Sequence, residues 1–229
     1  FDIMHEVDLV EDVIMAYGLN RIPPQYSPTT AIGKRLSSSR LRSRVRDLMI
    51  GMGFQEISTY MLTNEETSLK SLADRGPHAE IEKPVSNEYS MVRGALIPKL
   101  LVFLASNSHQ PCPQKIFEYG DAVNIRDGRA VTSTLLSAAI SDHSVSFEEI
   151  QAVSSSLFRN LSVEASYEAA NEEAFIPGRC AHAIVGGKPI GTIGEVKPSV
   201  LTDFGISNPT AMMELEIAAL PRLESLFLG

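Results

Sequence analysis

Apolar residues recur at helical spacing in several stretches of the chain. In the longest, Ser37–Gly53, the residues Leu41, Val45, Leu48 and Met52 fall on one face, and Gly53 is placed to end the helix. Serine, asparagine or proline precedes or opens several of these stretches, and glycine follows others. The pattern predicts helices over His5–Gly18, Ser37–Gly53, Asn64–Ala73, Leu96–Asn107, Ser146–Leu161 and Lys197–Gly205.

Alternation of residues along the chain predicts strands between these helices. It is clearest at residues 180–196, where two alternating runs flank the turn Gly186-Gly187-Lys188-Pro189, a strong hairpin signal. Six more strands are predicted over Phe54–Met61, Ala79–Val85, Gln114–Val123, Ala130–Ser141, Ser162–Ala169 and Thr210–Ile217, with a loop at Asn124–Arg129. We therefore predict an α+β fold, an antiparallel sheet with helices packed on one side.

One segment interrupts these patterns. Leu19–Thr30 contains three prolines and has no apolar period, which is typical of a linker. We expect a domain boundary here, with residues 1–24 forming the tail of a small preceding domain plus a linker, and residues 25–229 forming the main domain. Because Phe1 stands in what resembles the middle of an element, we expect a fragment of a longer chain.

Composition narrows the class of protein. The 229 residues are 44% hydrophobic, and no run approaches the roughly 20 apolar residues of a membrane span. The net charge of −8 argues against binding DNA or RNA through overall charge. Cys112 and Cys180 are far apart and outside any Cys-x-x-Cys pair, and no secretory leader is evident, so we expect a cytoplasmic protein.

An acidic group marks the first predicted helix. Asp8, Glu11 and Asp12 share one helix face, and Asp2 precedes the helix closely enough to approach them. This pattern fits an acidic first turn in water, which the helix dipole favours. It also fits a site for a hard cation such as Mg²⁺, which takes oxygen ligands.

The Ser37–Gly53 helix and its approach are basic. This cluster could lie in water, face an acidic partner or contact RNA phosphates, and the first two meanings are the commoner ones. Its members are Lys34, Arg35, Arg40, Arg42, Arg44 and Arg46.

Other polar residues offer weaker candidates for chemistry. Arg179 follows a glycine turn and could present its guanidinium to a phosphate or carboxylate, or tie two loops together. His109 and Cys112 are three apart, as in half a metal site, but an incidental loop pair is the commoner meaning. Asp142 and His143 form a second loop pair with no nucleophile signal nearby.

The chain resembles the β chain of phenylalanyl–tRNA synthetases over Asp2–Leu220, most strongly at Asp2–Pro24, at Met91–Leu101 with Ile116–Gly120, and at Phe175–Ile206. The most specific is Phe175–Ile206, with Phe-x-Pro-Gly-Arg-x-Ala followed by Gly-Lys-x-Ile-Gly-x-Ile-Gly-Glu-Val. Met91–Leu101 and Ile116–Gly120 are similar to two further segments of that family. The acidic residues also match the family's magnesium-linked spacing, D-x5-D-x2-E-[ED], so the resemblance implies Mg²⁺ at Asp2, Asp8, Glu11 and Asp12.

The resemblance implies a class II synthetase catalytic-like domain that has lost its own active site. Working enzymes of this fold carry Phe-Arg-x-Glu, whose arginine holds the ATP α-phosphate, but residues 106–113 lack Arg-x-Glu. They also carry Gly-x-Gly-x-x-x-Arg, but Ala218–Leu223 lacks those glycines. The resemblance further assigns the long helix and the strand after it to the motif that forms the subunit interface.

By this resemblance the chain is the C-terminal part of an archaeal or eukaryotic type β subunit, inactive alone. The family implies an α2β2 ligase, in which the α chain activates phenylalanine with ATP and Mg²⁺ and charges tRNA(Phe). One alternative is a free-standing amino-acid-activating paralogue on the same fold, which would need Arg93 and Arg179 to hold phosphate. Another is an interaction module unrelated to synthetases, with a different strand order.

Overall fold

A computed structural model of the chain describes residues 2–26, 28, 33–71, 73, 76–217 and 220. It divides the chain into two compact units, Phe1–Arg35 and Leu36–Gly229. Parts of three sequence predictions lie outside the described residues, namely residues 27, 29 and 30 of the linker, residue 72 of the predicted helix Asn64–Ala73, and most of residues 218–223. No helix in the described part is long and apolar enough to cross a membrane.

The first unit contains helix α1 (Glu6–Tyr17) and a short 3₁₀ turn, Leu19–Arg21. His5 is the N-cap, and its Nδ1 accepts a hydrogen bond from the Val7 backbone N–H at 3.2 Å. Gly18 ends the helix with a φ of 100°, which a glycine adopts without strain. No residue of α1 is fully buried, and most of its apolar side chains are exposed.

The second unit is a mixed α+β fold built on one large sheet. Its helices are α2 (Ser37–Gly51), α3 (Glu65–Ser71), α4 (Ile97–Ser106), α5 (Phe147–Asn160) and α6 (Pro198–Phe204). Its strands are β1 (Gln55–Glu56), β2 (Leu62–Thr63), β3 (Met91–Val92), β4 (Gln114–Arg126), β5 (Arg129–Ser141), β6 (Ala165–Ala169), β7 (Phe175–Val185), β8 (Lys188–Val196) and β9 (Thr210–Glu216).

Seven strands form the large sheet in the order β1-β4-β5-β9-β8-β7-β6, and β2 pairs with β3 separately. The short edge strand β1 is parallel to β4, and the other pairs are antiparallel. The predicted α+β class with a mainly antiparallel sheet is therefore confirmed.

The prediction that helices pack on one side of the sheet is wrong. Helices α2 and α5 cover one face, and α4 and α6 cover the other. The reason is visible in β5, where Leu136, Ala138 and Ile140 enter the first core while Leu135 and Ala139 enter the second. A central strand that is apolar on both faces needs cover on both.

Two tight turns set the central hairpins. Gly186 and Gly187 have φ values of 57° and 75°, as a two-residue turn requires, so the predicted β7–β8 hairpin is confirmed. Asp127 and Gly128, at 52° and 71°, join β4 to β5 in the same way. The predicted loop Asn124–Arg129 is therefore too long, because pairing continues to Arg126 and Arg129.

Three smaller predictions are wrong in extent. The strand predicted over Phe54–Met61 shrinks to β1, with Ile57 N–H donating to the Phe117 carbonyl at 2.8 Å beyond it. Residues 79–85 form only an isolated bridge from Glu80 to Met91, and Pro84 in this run has no N–H to donate to a ladder. Helix α2 ends at Gly51, and Met49 rather than Met52 completes its buried stripe.

Candidate functional site

The sheet face beneath α4 carries a cleft of about 320 Å³. Its floor comes from β4, β5, β8 and β9, with Gly94 and Ile97 at the start of α4 on its wall. The charged residues in its described lining are three glutamates and one arginine, namely Glu172, Glu214, Glu216 and Arg126. The described lining therefore has a negative balance of charge and suits a phosphate poorly.

Glu214 occupies the N-terminus of helix α4, a kind of site that ordinarily binds anions. Its Oε2 accepts hydrogen bonds from the backbone N–H groups of Leu96, at 2.7 Å, and Ile97, at 3.0 Å. These groups open helix α4, and helix N-termini attract phosphates and carboxylates through such donors. A carboxylate of the chain itself thus takes the place where a bound anion would sit.

Arg93 is buried in a network of hydrogen bonds beside the cleft. Its Nη1 donates to Glu118 Oε1 and to Thr59 Oγ1, each at 2.8 Å, and its Nε donates to the Asp121 carbonyl at 2.9 Å. The side chains of Arg93 and Glu118 are only 5% and 4% exposed. The network joins the segment after β1, the segment before α4 and strand β4, which gives Arg93 a structural role.

Arg179 serves as a tie within the chain, but it joins the neighbouring strands β7 and β8 rather than two loops, as the sequence interpretation had it. Its Nη1 donates to Glu195 Oε2 at 2.6 Å, and Glu195 Oε1 accepts from the Phe147 N–H, at the start of α5, at 2.8 Å. The hydrogen bond to Glu195 raises the pKa of the Arg179 guanidinium. The side chain is 58% exposed and lines a second cleft of about 550 Å³, together with Glu195 and the segment that precedes α5.

The four acidic residues predicted from spacing lie on or just before α1. Asp8 belongs to a capping box, in which its Oδ2 accepts from the N–H groups of Met4 and His5 at 2.7 and 2.8 Å. These hydrogen bonds, chiefly that from His5, hold the pKa of the Asp8 carboxyl below its usual value. Asp2, Glu11 and Asp12 are exposed. In the described residues, these four do not bring three ligand atoms within 4.8 Å of one another.

Part of the basic cluster around α2 is engaged with the chain itself. Arg46 Nε lies 2.5 Å from Glu56 Oε2 on β1, and the Arg42 guanidinium lies over the Tyr119 ring at 5.7 Å from its centroid. Ile50 is 49% exposed on the same helix. Two arginines of this cluster thus contact strands of the sheet, while Ile50 adds an exposed apolar group to the helix.

A cluster of metal-ligating types was missed by reasoning from local spacing. Ligand atoms of Cys112, Asp142 and His143 all lie within 4.8 Å of one another. His109, which sequence spacing had set beside Cys112, has its Nε2 3.0 Å from the side-chain nitrogen of Gln110 instead. The signal that would have found the cluster is strand pairing, because Cys112 and Asp142 flank the antiparallel partners Gln114 and Ser141.

Comparison with known proteins identifies relatives over nearly the whole chain. The family model described as the phenylalanyl tRNA synthetase beta chain CLM domain matches residues 22–217. The phenylalanine–tRNA ligase beta subunit of Thermococcus kodakarensis is 38% identical over 238 residues, which covers 96% of this chain and 42% of that protein. That of Archaeoglobus fulgidus is 35% identical over 222 residues, covering 95% and 40%. The corresponding subunit of Metallosphaera sedula is 39% identical over 226 residues, covering 97% and 41%.

Proposed function

Because this chain belongs to the phenylalanyl-tRNA synthetase beta chain family, we propose that it is a non-catalytic module that supports the α subunit of a phenylalanine–tRNA ligase. The chain spans about two fifths of the length of the curated relatives it matches. The activity is therefore proposed for a complete α2β2 assembly in the cytoplasm. There the α subunit activates phenylalanine with ATP and Mg²⁺ and charges tRNA(Phe).

The observation that carries this proposal is the charge of the cleft beneath α4. Phosphoryl and adenylyl chemistry is catalysed by cations aimed at the phosphate oxygens, where they stabilise the charge of the transition state. The described lining of this cleft offers three glutamates and Arg126, and Glu214 already fills the N-terminus of α4. A nucleotide there would meet carboxylates where it needs arginines.

The alternative of a free-standing amino-acid-activating enzyme is not favoured. It needs Arg93 and Arg179 to hold phosphates, but Arg93 is buried against Glu118 and Arg179 is bonded to Glu195. Taking Arg93 out of its network would leave the Glu118 carboxylate buried without a cation, at a cost of about 3–5 kcal/mol.

The proposal extends to the fold and its division. We assign residues 25–229 to a class II synthetase-like domain, and residues 1–24 to the tail of a preceding domain with its linker. The mainly antiparallel sheet supports the first assignment. Helix α2 leads directly into the edge strand β1, which is parallel to β4. This arrangement supports the partner-contact role that we propose for α2.

For Mg²⁺ we propose weak binding at Asp2, Asp8, Glu11 and Asp12. Carboxylate oxygens suit this ion, which usually keeps several waters and takes one or two protein carboxylates. One oxygen of Asp8 caps α1, so Asp8 has Oδ1 to offer, and the ion would neutralise charge repulsion on this helix. Titration with Mn²⁺ as a paramagnetic probe should broaden the NMR signals of these residues first. Broadening spread evenly over the surface carboxylates would contradict the assignment.

The proposed function is tested by ATP–pyrophosphate exchange with phenylalanine. The assay uses this chain alone, the α chain of the same organism alone, and the two combined. We expect no exchange from this chain alone, and co-purification with the α chain. Robust exchange by this chain alone, or failure to associate with the α chain under any condition that keeps both folded, would overturn the proposal.

A further inference from the structure

Three loops meet at one end of the central strands. Pairing of Gln114 with Ser141 places Cys112, two residues before β4, next to Asp142, one residue after β5. Pairing of Ser141 with Thr210 adds the segment before β9, so that Asn208 joins them. The Asp142 N–H donates to the Pro209 carbonyl at 3.2 Å, and the Thr210 hydroxyl donates to the Ser141 hydroxyl at 3.1 Å. The loops are thus fixed to the most regular part of the sheet.

These loops bring together three side chains of different ligand chemistry. The Cys112 Sγ, a carboxylate oxygen of Asp142 and a ring nitrogen of His143 all lie within 4.8 Å of one another. Around a tetrahedral Zn²⁺, bond lengths of about 2.0–2.3 Å place such ligand atoms roughly 3.4–3.6 Å apart. Small side-chain rotations, without backbone movement, would close that difference. Cys112 and Asp142 are half-buried and His143 is exposed, so the group can be reached from solvent.

Neighbouring groups support two of the three side chains. The Asn208 Nδ2 donates a hydrogen bond to Cys112 Sγ at 3.1 Å, and the His143 backbone N–H donates to Asp142 Oδ1 at 2.8 Å. Hydrogen bonds of this kind orient metal ligands and tune them. An amide donor on a cysteine sulfur also favours its thiolate form, the form that binds metal.

We propose that Cys112, Asp142 and His143 form a binding site for a late first-row divalent metal ion of the Zn²⁺ class. The set of one thiolate, one imidazole and one carboxylate suits Zn²⁺ or Co²⁺ and does not suit Mg²⁺ or Ca²⁺, which take oxygen ligands. Three protein ligands leave the fourth tetrahedral position to water. His143 also lines the cleft of about 550 Å³, so a small ligand could reach that position from the cleft.

The chain contains a matched control for this site. His109 is three residues from Cys112 and exposed, yet it lies outside the described cluster and contacts Gln110. Cys180, the second cysteine, is 4% exposed in the core. His109 is the histidine closest to Cys112 in sequence, but His143 is the one that lies beside Cys112 in the structure. His109 therefore serves as the control.

The test is titration of the metal-free full chain with Co²⁺, followed by absorption spectroscopy. We expect one equivalent to bind with a sulfur-to-cobalt charge-transfer band and tetrahedral ligand-field bands, and Zn²⁺ to displace it. Cys112→Ser should abolish the charge-transfer band, and His143→Ala or Asp142→Asn should weaken binding at least tenfold. Asn208→Ala should weaken it by about 10- to 100-fold, as for other groups that orient ligands. His109→Ala should leave the titration unchanged.

Each variant is first checked by circular dichroism and thermal unfolding in metal-free buffer, which separates loss of ligands from loss of fold. The absence of saturable Co²⁺ binding to the folded parent chain would overturn the proposal. So would a charge-transfer band that persists in Cys112→Ser, or one that depends on His109 instead of His143. Since no readout depends on aminoacylation, failure of this site and failure of the proposed function are distinguishable.

Discussion

Arg93 gives the sharpest test of whether this chain's arginines serve the fold or a ligand. The change Arg93→Met keeps an unbranched side chain of moderate length but removes the charge and all three donated hydrogen bonds, to Glu118, Thr59 and the Asp121 carbonyl. Because Glu118 is 4% exposed, its carboxylate would then be buried without a cation. Breaking a buried pair in this way lowers the free energy of unfolding by about 3–5 kcal/mol.

The measurement is unfolding in urea, with the thermal midpoint as a second readout. For a domain of this size each kcal/mol corresponds to about 2–4 °C, so the midpoint should fall by roughly 6–20 °C. The matched control is Arg44→Met on the exposed side of α2, which should change stability by less than about 0.5 kcal/mol. In the double variant Arg93→Met/Glu118→Met much of the loss should return, since replacing a whole buried pair by apolar groups is often neutral.

The reasoning would be refuted if Arg93→Met unfolded like the parent chain. It would also be refuted if the double variant lost as much as the sum of two independent single losses, because the two side chains would then not be coupled. A variant of parental stability that had lost affinity for ATP would assign Arg93 to a ligand.

Three further predictions concern packing, thiol reactivity and pH. A Cβ on Gly191 would lie within 3 Å of the β9 backbone at Leu215 Cα, so Gly191→Ala should force β8 away from β9. The free energy of unfolding should fall by about 1–3 kcal/mol or more. An unchanged midpoint of urea unfolding would contradict this. Burial raises the pKa of the Cys180 thiol, so this thiol should react slowly in the folded chain. An aromatic disulfide reagent at pH 8 should therefore modify Cys112 alone until the chain unfolds. Rapid modification of two thiols per native chain would contradict this. Because the pKa of the Asp8 carboxyl is lowered, its stabilisation of α1 is complete above the ordinary carboxyl pKa of 3.8 and is lost as the pH falls through the lower pKa of the folded state. NMR titration of the His5 and Met4 amides should report that transition. A titration midpoint at or above pH 3.8 would refute the prediction.

Local sequence patterns predicted much of the fold because local chemistry determines those elements. The turn at Gly186-Gly187 needs two positive φ values, which two glycines provide, so the β7–β8 hairpin could be predicted from a few residues. Helix α5 likewise begins with a capping box from Ser146 to Glu149 that is visible in the sequence. What could not be predicted depends on partners far along the chain.

The cover on both faces of the sheet belongs to that second group. The apolar run in β5 indicated a central strand, but only the path of the chain decides that α4 and α6 cover its second face. The same holds for candidate sites. Glu214 and the N-terminus of α4 are separated by more than a hundred residues along the chain. Cys112 and Asn208, which supports it, are 96 residues apart. Local spacing cannot anticipate contacts at such separations.

The role of Arg93 shows the same limit for function. In the sequence it was one of two arginines that could hold a phosphate for an enzyme acting alone. Its partners Thr59 and Glu118 lie 34 and 25 residues away, and only their meeting shows that the guanidinium is already committed.

The central claim about this chain is that the cleft of about 320 Å³ on its sheet lacks, in its described lining, the cations needed to hold a nucleotide. Isothermal titration calorimetry of this chain with Mg²⁺–ATP, and with a non-hydrolysable phenylalanyl-adenylate analogue, tests it most directly. We expect no saturable heat for the chain alone, and binding by the α chain or the complex at the α subunit's own site. Saturable binding to this chain alone that is lost in Arg126→Ala, with stability unchanged, would contradict it.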